Sequence, residues 1–280
     1  LIPSVCWPTT LWPIIQSGLK PVFVDVEKQT FNICLKDLEK KISKRTKVLM
    51  LVHVLGISTD MEKLMKILNK HKIILVEDTC ESIGAKYNNK FLGTFGDFST
   101  FSFYYSHQIT SVEGGMICCK NKEDENIIKS MRCHGWSRDL SDKKRIERKY
   151  KNINSKFLFV NSGYNFRPTD IQAAIGLSQF RSLNSFNKII DTNRKKIINK
   201  LITDRRWNNQ VTFIRNSNKI QPSWFGLSML FNEKYKYNKG LILDRLDKFG
   251  IESRPIIGGN FLKQPALKKY NLKQKSTNFP

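Results

Sequence analysis

The chain reads as an α/β protein, with a mostly parallel central sheet covered by helices and a smaller α+β region after it. Three features carry that reading. Up to Asp204, short apolar runs alternate with segments of helical period, as expected of parallel strands buried on both faces. Beyond Asp204 the texture changes to short runs suited to antiparallel strands. No internal repeat or low-complexity linker interrupts either part. The expected division is therefore a large domain over 1–205 and a small one over 206–280.

Pro21 to Val26, Lys47 to Val54 and Lys72 to Asp78 are apolar runs of strand length and read as buried strands. Leu35 to Ile42 and Asp60 to His71 carry helical period and read as the crossovers between them, the second capped by Thr59 or Asp60. Phe98 to Phe103 and Gly115 to Cys119 read as two further strands flanking a turn. Glu123 to Arg132 reads as a helix, followed by a long polar insertion to about Phe157. Thr169 to Gly176 opens a helix behind Pro168, and Asn187 to Asp204 reads as a second long helix. Val211 to Arg215 and Trp224 to Leu230 read as antiparallel strands, and Asn238 to Phe249 as a helix. Both ends read as cut, the first in a strand that enters a helix and the last, Lys275 to Pro280, in a polar loop.

Forty-eight Lys and Arg against 24 Asp and Glu give a formal charge of +24, which raises nucleic acid or an anionic membrane as partners. The basic residues are spread through the chain and no nucleic-acid motif accompanies them, so compositional bias is the favoured reading. The densest run, Lys143 to Lys151, reads as a solvated loop. Six cysteines form no C-x-x-C pair, and reduced thiols in a cytoplasmic protein are the expectation. No apolar run is long enough to cross a membrane, no signal peptide is visible and no metal-ligand cluster is expected.

Asp78 falls at the carboxyl end of a parallel strand, the edge at which open α/β sheets place ligands. A carboxylate there either caps the next turn or holds a heterocyclic nitrogen protonated. Glu81 follows it within Val76-Glu77-Asp78-Thr79-Cys80-Glu81-Ser82-Ile83-Gly84-Ala85. His107 stands in Ser102-Phe103-Tyr104-Tyr105-Ser106-His107-Gln108-Ile109-Thr110-Ser111-Val112-Glu113-Gly114-Gly115, where neutral imidazole can take a proton from one atom and return it to another. Glu113-Gly114-Gly115 reads as a tight turn.

Together these two segments resemble the pyridoxal-phosphate-dependent DegT/StrS family of sugar aminotransferases. The resemblance runs from Trp7 to Asn260 and implies the fold-type I architecture of aspartate-aminotransferase-like enzymes. Most of that family has a lysine at the position of His107 that holds the cofactor covalently and shuttles protons. Histidine there resembles one branch, the GDP-4-keto-6-deoxymannose 3-dehydratases, which keep the cofactor but remove a hydroxyl. The resemblance implies Asp78, Glu81 and Ser102 at the cofactor ring and phosphate, and Trp7 stacked on the ring, with core packing as the competing role for Trp7. His134 and Arg138, in Arg132-Cys133-His134-Gly135-Trp136-Ser137-Arg138-Asp139, resemble substrate-side residues of that branch. Gly163-Tyr164-Asn165-Phe166-Arg167-Pro168 resembles a second signature whose Asn reaches the neighbouring subunit's cofactor phosphate. Asn165 and Arg167 thus imply a homodimer with shared sites, although a helix N-terminus built from Asn, Pro and Asp describes the same residues. Arg254, in Gly250 to Pro255, implies an anion contact in the sugar pocket. His53 resembles a family motif on a buried strand and reads as structural.

The implied reaction uses pyridoxal 5′-phosphate and its pyridoxamine form, with glutamate as amino donor, to remove the C3 hydroxyl of a nucleotide-linked 4-keto-6-deoxyhexose. Such a lyase serves deoxysugar and lipopolysaccharide assembly. A sugar aminotransferase and a catalytically silent family member are the alternatives.

Overall fold

A computed structural model describes residues 1–234, 239–270 and 272. Asn238, the first residue of one expected helix, and the Lys275 to Pro280 loop lie outside the described residues.

In chain order, β1 (Ile2–Pro3) leads into α1 (Pro8–Gln16), β2 (Phe23–Val24), α2 (Leu35–Lys41), β3 (Val48–Val52), α3 (Met61–His71) and β4 (Ile74–Asp78). Pro8 opens α1, where its fixed φ suits the helix and its missing N–H costs nothing. Asp60 caps α3 by accepting the Lys63 N–H at 3.1 Å. A short hairpin, β5 (Lys86–Tyr87) and β6 (Lys90–Phe91), separates β4 from β7 (Phe98–Ser102) and β8 (Gly115–Cys119).

β3, β4 and β7 pair in parallel and β8 closes the sheet antiparallel. β1 and β2 pair in parallel and join this sheet where Met50 N–H donates to the Leu1 carbonyl at 2.9 Å. The strand order is therefore β2-β1-β3-β4-β7-β8, parallel except for its last member, as the apolar runs predicted. Register aligns Val52 with Asp78 and Asp78 with Thr100, so three strands deliver their carboxyl ends to one edge. The main core joins the strands to Leu11 of α1, Leu38 of α2 and Leu64 and Leu68 of α3, all almost fully buried. A second cluster packs Ile83 and Ile109 against Leu183, with Phe101, Phe103 and Phe186 around them.

After β8 come α4 (Lys122–Arg132), α5 (Lys143–Lys149) and α6 (Asp170–Ile202). Two expectations are corrected here. The polar insertion contains a helix, α5, whose basic residues face solvent and which leaves no side chain buried. The two helices expected between Thr169 and Asp204 are one 33-residue helix. It starts from a capping box in which Thr169 and Gln172 satisfy each other's backbone N–H groups, and no proline follows to break it.

The remainder comprises β9 (Val211–Phe213), β10 (Ile220–Gln221), β11 (Met229–Phe231) and α7 (Lys239–Lys248). β9 and β11 are antiparallel, as expected, whereas β10 pairs with β5. The strand expected from Trp224 is confined to Met229–Phe231, because Trp224 is drawn out of any ladder. Its Nε1–H donates to Asp191 at 3.0 Å, and the Arg194 guanidinium lies 3.9 Å from its ring centroid.

Candidate active site

The carboxyl edge of the sheet gathers the groups that sequence reasoning singled out. Asp78 is half-buried at the last residue of β4. One carboxylate oxygen accepts the Thr10 hydroxyl of α1 at 2.7 Å and the other accepts the Cys80 N–H at 3.2 Å. The second contact is the turn-capping role considered for it. Two ordinary hydrogen bonds leave acceptor positions on an ionised carboxylate, so capping and ligand holding are compatible.

Glu81 lies just beyond. Its carboxylate accepts the Leu55 N–H at 2.8 Å and stands 4.0 Å from the Arg254 guanidinium. Burial pushes this carboxyl up to about 7, against the opposing pull of the Leu55 N–H and Arg254. The group sits near half-ionisation at neutral pH. Leu55 itself is held at a positive φ of 60° in a tight turn over Val54–Gly56.

His107 occupies the turn between β7 and β8. Its imidazole is half-buried, its ring centroid is 5.1 Å from that of Phe225 and 6.2 Å from that of Tyr104. Nδ1 is buried and has no hydrogen-bond partner among the described residues. Burial lowers the basicity of the ring, and Arg254 adds to this. The Cys80 backbone and Asp78 act the other way. The net direction is down, which favours the neutral imidazole, the form a base requires. The turn is tight at Gly114, where a Cβ would come within 2.3 Å of the Ser111 hydroxyl.

Ser102 ends β7, and its hydroxyl accepts the Tyr104 N–H at 3.2 Å. Trp7 is the N-cap of α1, one turn ahead of Thr10, and is 56% exposed. That exposure disfavours the core-packing role. Arg254 is exposed and lies over the Phe225 ring at 4.9 Å.

The remaining sequence candidates form a separate, exposed arm. Asn165 bridges to Cys133, and its side-chain oxygen accepts the Arg167 Nε–H at 2.9 Å. His134, at a φ of 58°, donates its backbone N–H to Tyr164, while Arg138 stacks 4.1 Å from the Trp136 ring. No hydrogen bond or ring contact among the described residues joins this arm to Asp78, Glu81 or His107. His53 is structural: fully buried, its Nε2 lies 2.8 Å from Glu77, which also accepts N–H groups of Gly93, Phe95 and Gly96.

Three site residues escaped sequence reasoning. Thr10 lies in the quoted Trp7-Pro8-Thr9-Thr10 run but had no signal pairing it with Asp78. Gln108 lies in the quoted run around His107 but had no signal pairing it with Ser223, and only the fold brings Phe225 to His107. A groove of about 1220 Å³ between α6 and the 207–224 segment is lined by neither Asp78 nor His107, so chemistry rather than volume marks the site. Among the described residues there is no group of metal-ligating side chains, and no helix is long and apolar enough to cross a membrane.

The chain is similar to known proteins along most of its length. The profile of the DegT/DnrJ/EryC1/StrS aminotransferase family matches residues 1–280. Over 272 residues the chain is 35% identical to a GDP-4-keto-6-deoxy-D-mannose 3-dehydratase of Escherichia coli O55:H7, covering 96% of this chain and 69% of that protein. It resembles a crystal structure of GDP-4-keto-6-deoxymannose-3-dehydratase with a trapped PLP-glutamate geminal diamine, at a TM-score of 0.86 and 33% identity, over 99% of this chain and 71% of that one. It also resembles Helicobacter pylori PseC, an aminotransferase involved in pseudoaminic acid biosynthesis, at a TM-score of 0.84 and 26% identity, over 99% and 70% of the two chains.

Proposed function

The chain belongs to the DegT/DnrJ/EryC1/StrS aminotransferase family, and from that premise we propose that it is the greater part of a pyridoxal-phosphate-dependent sugar 3-dehydratase. Its substrate is a nucleotide-linked 4-keto-6-deoxyhexose, its amino donor glutamate and its setting the deoxysugar branch of lipopolysaccharide assembly in the cytoplasm. The observation that carries the reading is His107: a half-buried imidazole with a buried, unpartnered Nδ1 and its basicity lowered by burial, where an aminotransferase needs an amine.

The residues present fit the cofactor. Asp78 has acceptor capacity left at the sheet edge, Ser102 offers a hydroxyl at the end of the adjacent strand, and Trp7 is an exposed aromatic at the N-terminus of α1. Pyridoxal phosphate, when bound, supplies an electron sink that lets a carbon–oxygen bond beside the sugar's keto group break. Asp78 would hold the ring nitrogen protonated, its carboxylate oriented by the Thr10 hydroxyl and the Cys80 N–H. His107 takes a proton at its ring nitrogen and returns it, which a primary amine in covalent linkage would do in an aminotransferase. Glu81, near half-ionisation, lies beside Arg254, which contacts the anionic part of the substrate. The balance closes with glutamate. It is oxidised to 2-oxoglutarate and releases ammonia, and the two electrons reduce the sugar carbon whose hydroxyl leaves as water.

His134, Arg138, Asn165 and Arg167 belong, on this reading, to a partner subunit's site. Their arm is exposed, carries Tyr164 and Phe166 stacked at 5.0 Å, and continues into exposed Ile171, Leu177 and Phe180 of α6. An apolar face of that extent supports its burial in a homodimer. The division at 205/206 is part of the same proposal. Incubating the full-length protein with glutamate and GDP- or CDP-linked 4-keto-6-deoxyhexoses tests it: a dehydratase yields a 3,6-dideoxy-4-keto sugar, an aminotransferase an aminosugar, and a silent relative neither.

A further inference from the structure

Imidazole acts as a base only if its ring is held at a fixed angle to the carbon it serves. The usual device, a hydrogen bond to the second ring nitrogen, is missing at Nδ1 of His107 among the described residues, and the only hydrogen-bonding influence on the ring comes from the Cys80 backbone. What lies against the ring instead is Phe225, with centroids 5.1 Å apart and planes 33° apart. Phe225 comes from a segment more than a hundred residues away in sequence, yet it is fixed to the site at three points. Ser223 N–H donates to the Gly56 carbonyl at 3.0 Å, and Phe225 N–H to the Leu55 carbonyl at 3.3 Å. Gln108, the residue after His107, donates its side-chain N–H to the Ser223 carbonyl at 3.1 Å and to the Glu81 carbonyl at 2.6 Å. Contact at Gly56 is so close that a Cβ there would lie 1.8 Å from the Ser223 oxygen. The strap is thus locked to the same turn whose Leu55 N–H holds the Glu81 carboxylate.

We propose that Phe225 is a positioning residue for His107: its ring, strapped to the 54–56 turn and tied by Gln108, sets the imidazole plane and shields it from water. The proposal rests on the reading of His107 as the base. Its consequence is a neutral imidazole, because burial is the largest influence lowering its basicity. The charged and titratable groups around the ring are Asp78 of β4, Cys80 and Glu81 of the following turn, Tyr104 of its own turn, and Arg254, which shares the Phe225 ring as a platform.

The test uses the full-length protein with labelled histidine, read by NMR titration. His107→Asn identifies the His107 signal. In Phe225→Leu, which keeps an apolar side chain but loses the flat face, the His107 midpoint should move up towards the ordinary histidine value. Turnover should fall at least about tenfold, and Phe225→Tyr should restore both. Should the leucine variant fail to fold, Phe225→Met, closer in shape to the lost ring, gives the same comparison. An unchanged His107 midpoint in a folded leucine or methionine variant overturns the proposal. Full turnover in His107→Asn would sink the base assignment instead, and the titration would still report whether Phe225 governs the imidazole.

Discussion

Asp78, Glu81 and His107 divide the work of the site by environment. Asp78 keeps two hydrogen-bond donors and stays at the sheet edge, whereas Glu81 gains one backbone donor and a distant guanidinium and loses most of its water. Asp78→Asn keeps the shape and lets the amide oxygen accept the Cys80 N–H while the NH2 faces the Thr10 hydroxyl, but it removes the charge. Turnover should drop by about 10² or more in a protein that still folds, and steady-state rates within a few-fold of the parent would reduce Asp78 to a turn cap. For Glu81, raised to about 7 in the folded protein, the native state holds a proton that the unfolded chain gives up at lower pH. Its contribution to stability is intact below the ordinary glutamate value and is lost as pH rises through about 7. Thermal or denaturant unfolding of the apo protein at pH 5 and pH 8 should show the loss, on the order of 2 kcal/mol, and Glu81→Gln should abolish that part of the slope. That Asp78, Glu81 and His107 meet at one edge was legible because each lies in a contiguous segment with a recognisable neighbourhood. Thr10 and Phe225 were not, since a partner contributed by another element leaves no mark in the local sequence.

At the scale of elements, parallel strands announced themselves by apolar runs and α3 by its Asp60 cap, because both signals are local. Where α6 runs on unbroken, the expectation of two helices failed: nothing between Gly176 and Asn187 breaks a helix, and Leu183 and Phe186 anchor the middle of it on the second core. Trp224 was misassigned because an aromatic has strand propensity unless a polar partner claims its N–H, and Asp191 on α6 does so here. The strap at 223–225 offers a direct check. Gly56→Ala places a methyl against the Ser223 carbonyl at a φ of 82°, so the strap or the turn must move. Urea unfolding should show a lower midpoint with an unchanged slope and a loss of more than about 1 kcal/mol. Parental stability would mean that the strap shifts freely.

For the whole molecule, the two groups of candidate residues are separated by the fold: one at the sheet edge, one on an exposed apolar arm. That separation is what a shared site between two copies requires, and the family resemblance had implied it for Asn165 and Arg167 but not for His134 and Arg138. Full-length Asn165→Ala mixed with full-length Asp78→Asn should regain activity in heterodimers, because both defects then fall in one site and the other site is rebuilt with wild-type residues. If subunit exchange is demonstrated and the mixture stays at the level of the separate variants, Asn165 acts within its own chain. The formal charge of +24 adds nothing specific to this picture, and basic α5 leaves no side chain buried. The central claim, that histidine in place of an amine turns the family's chemistry from transfer to elimination, is tested most directly by following nitrogen. With ¹⁵N-glutamate and the 4-keto-6-deoxy sugar nucleotide, the label should appear as ammonia in step with a nitrogen-free, 3-deoxygenated sugar. Label recovered in an aminosugar would contradict the account.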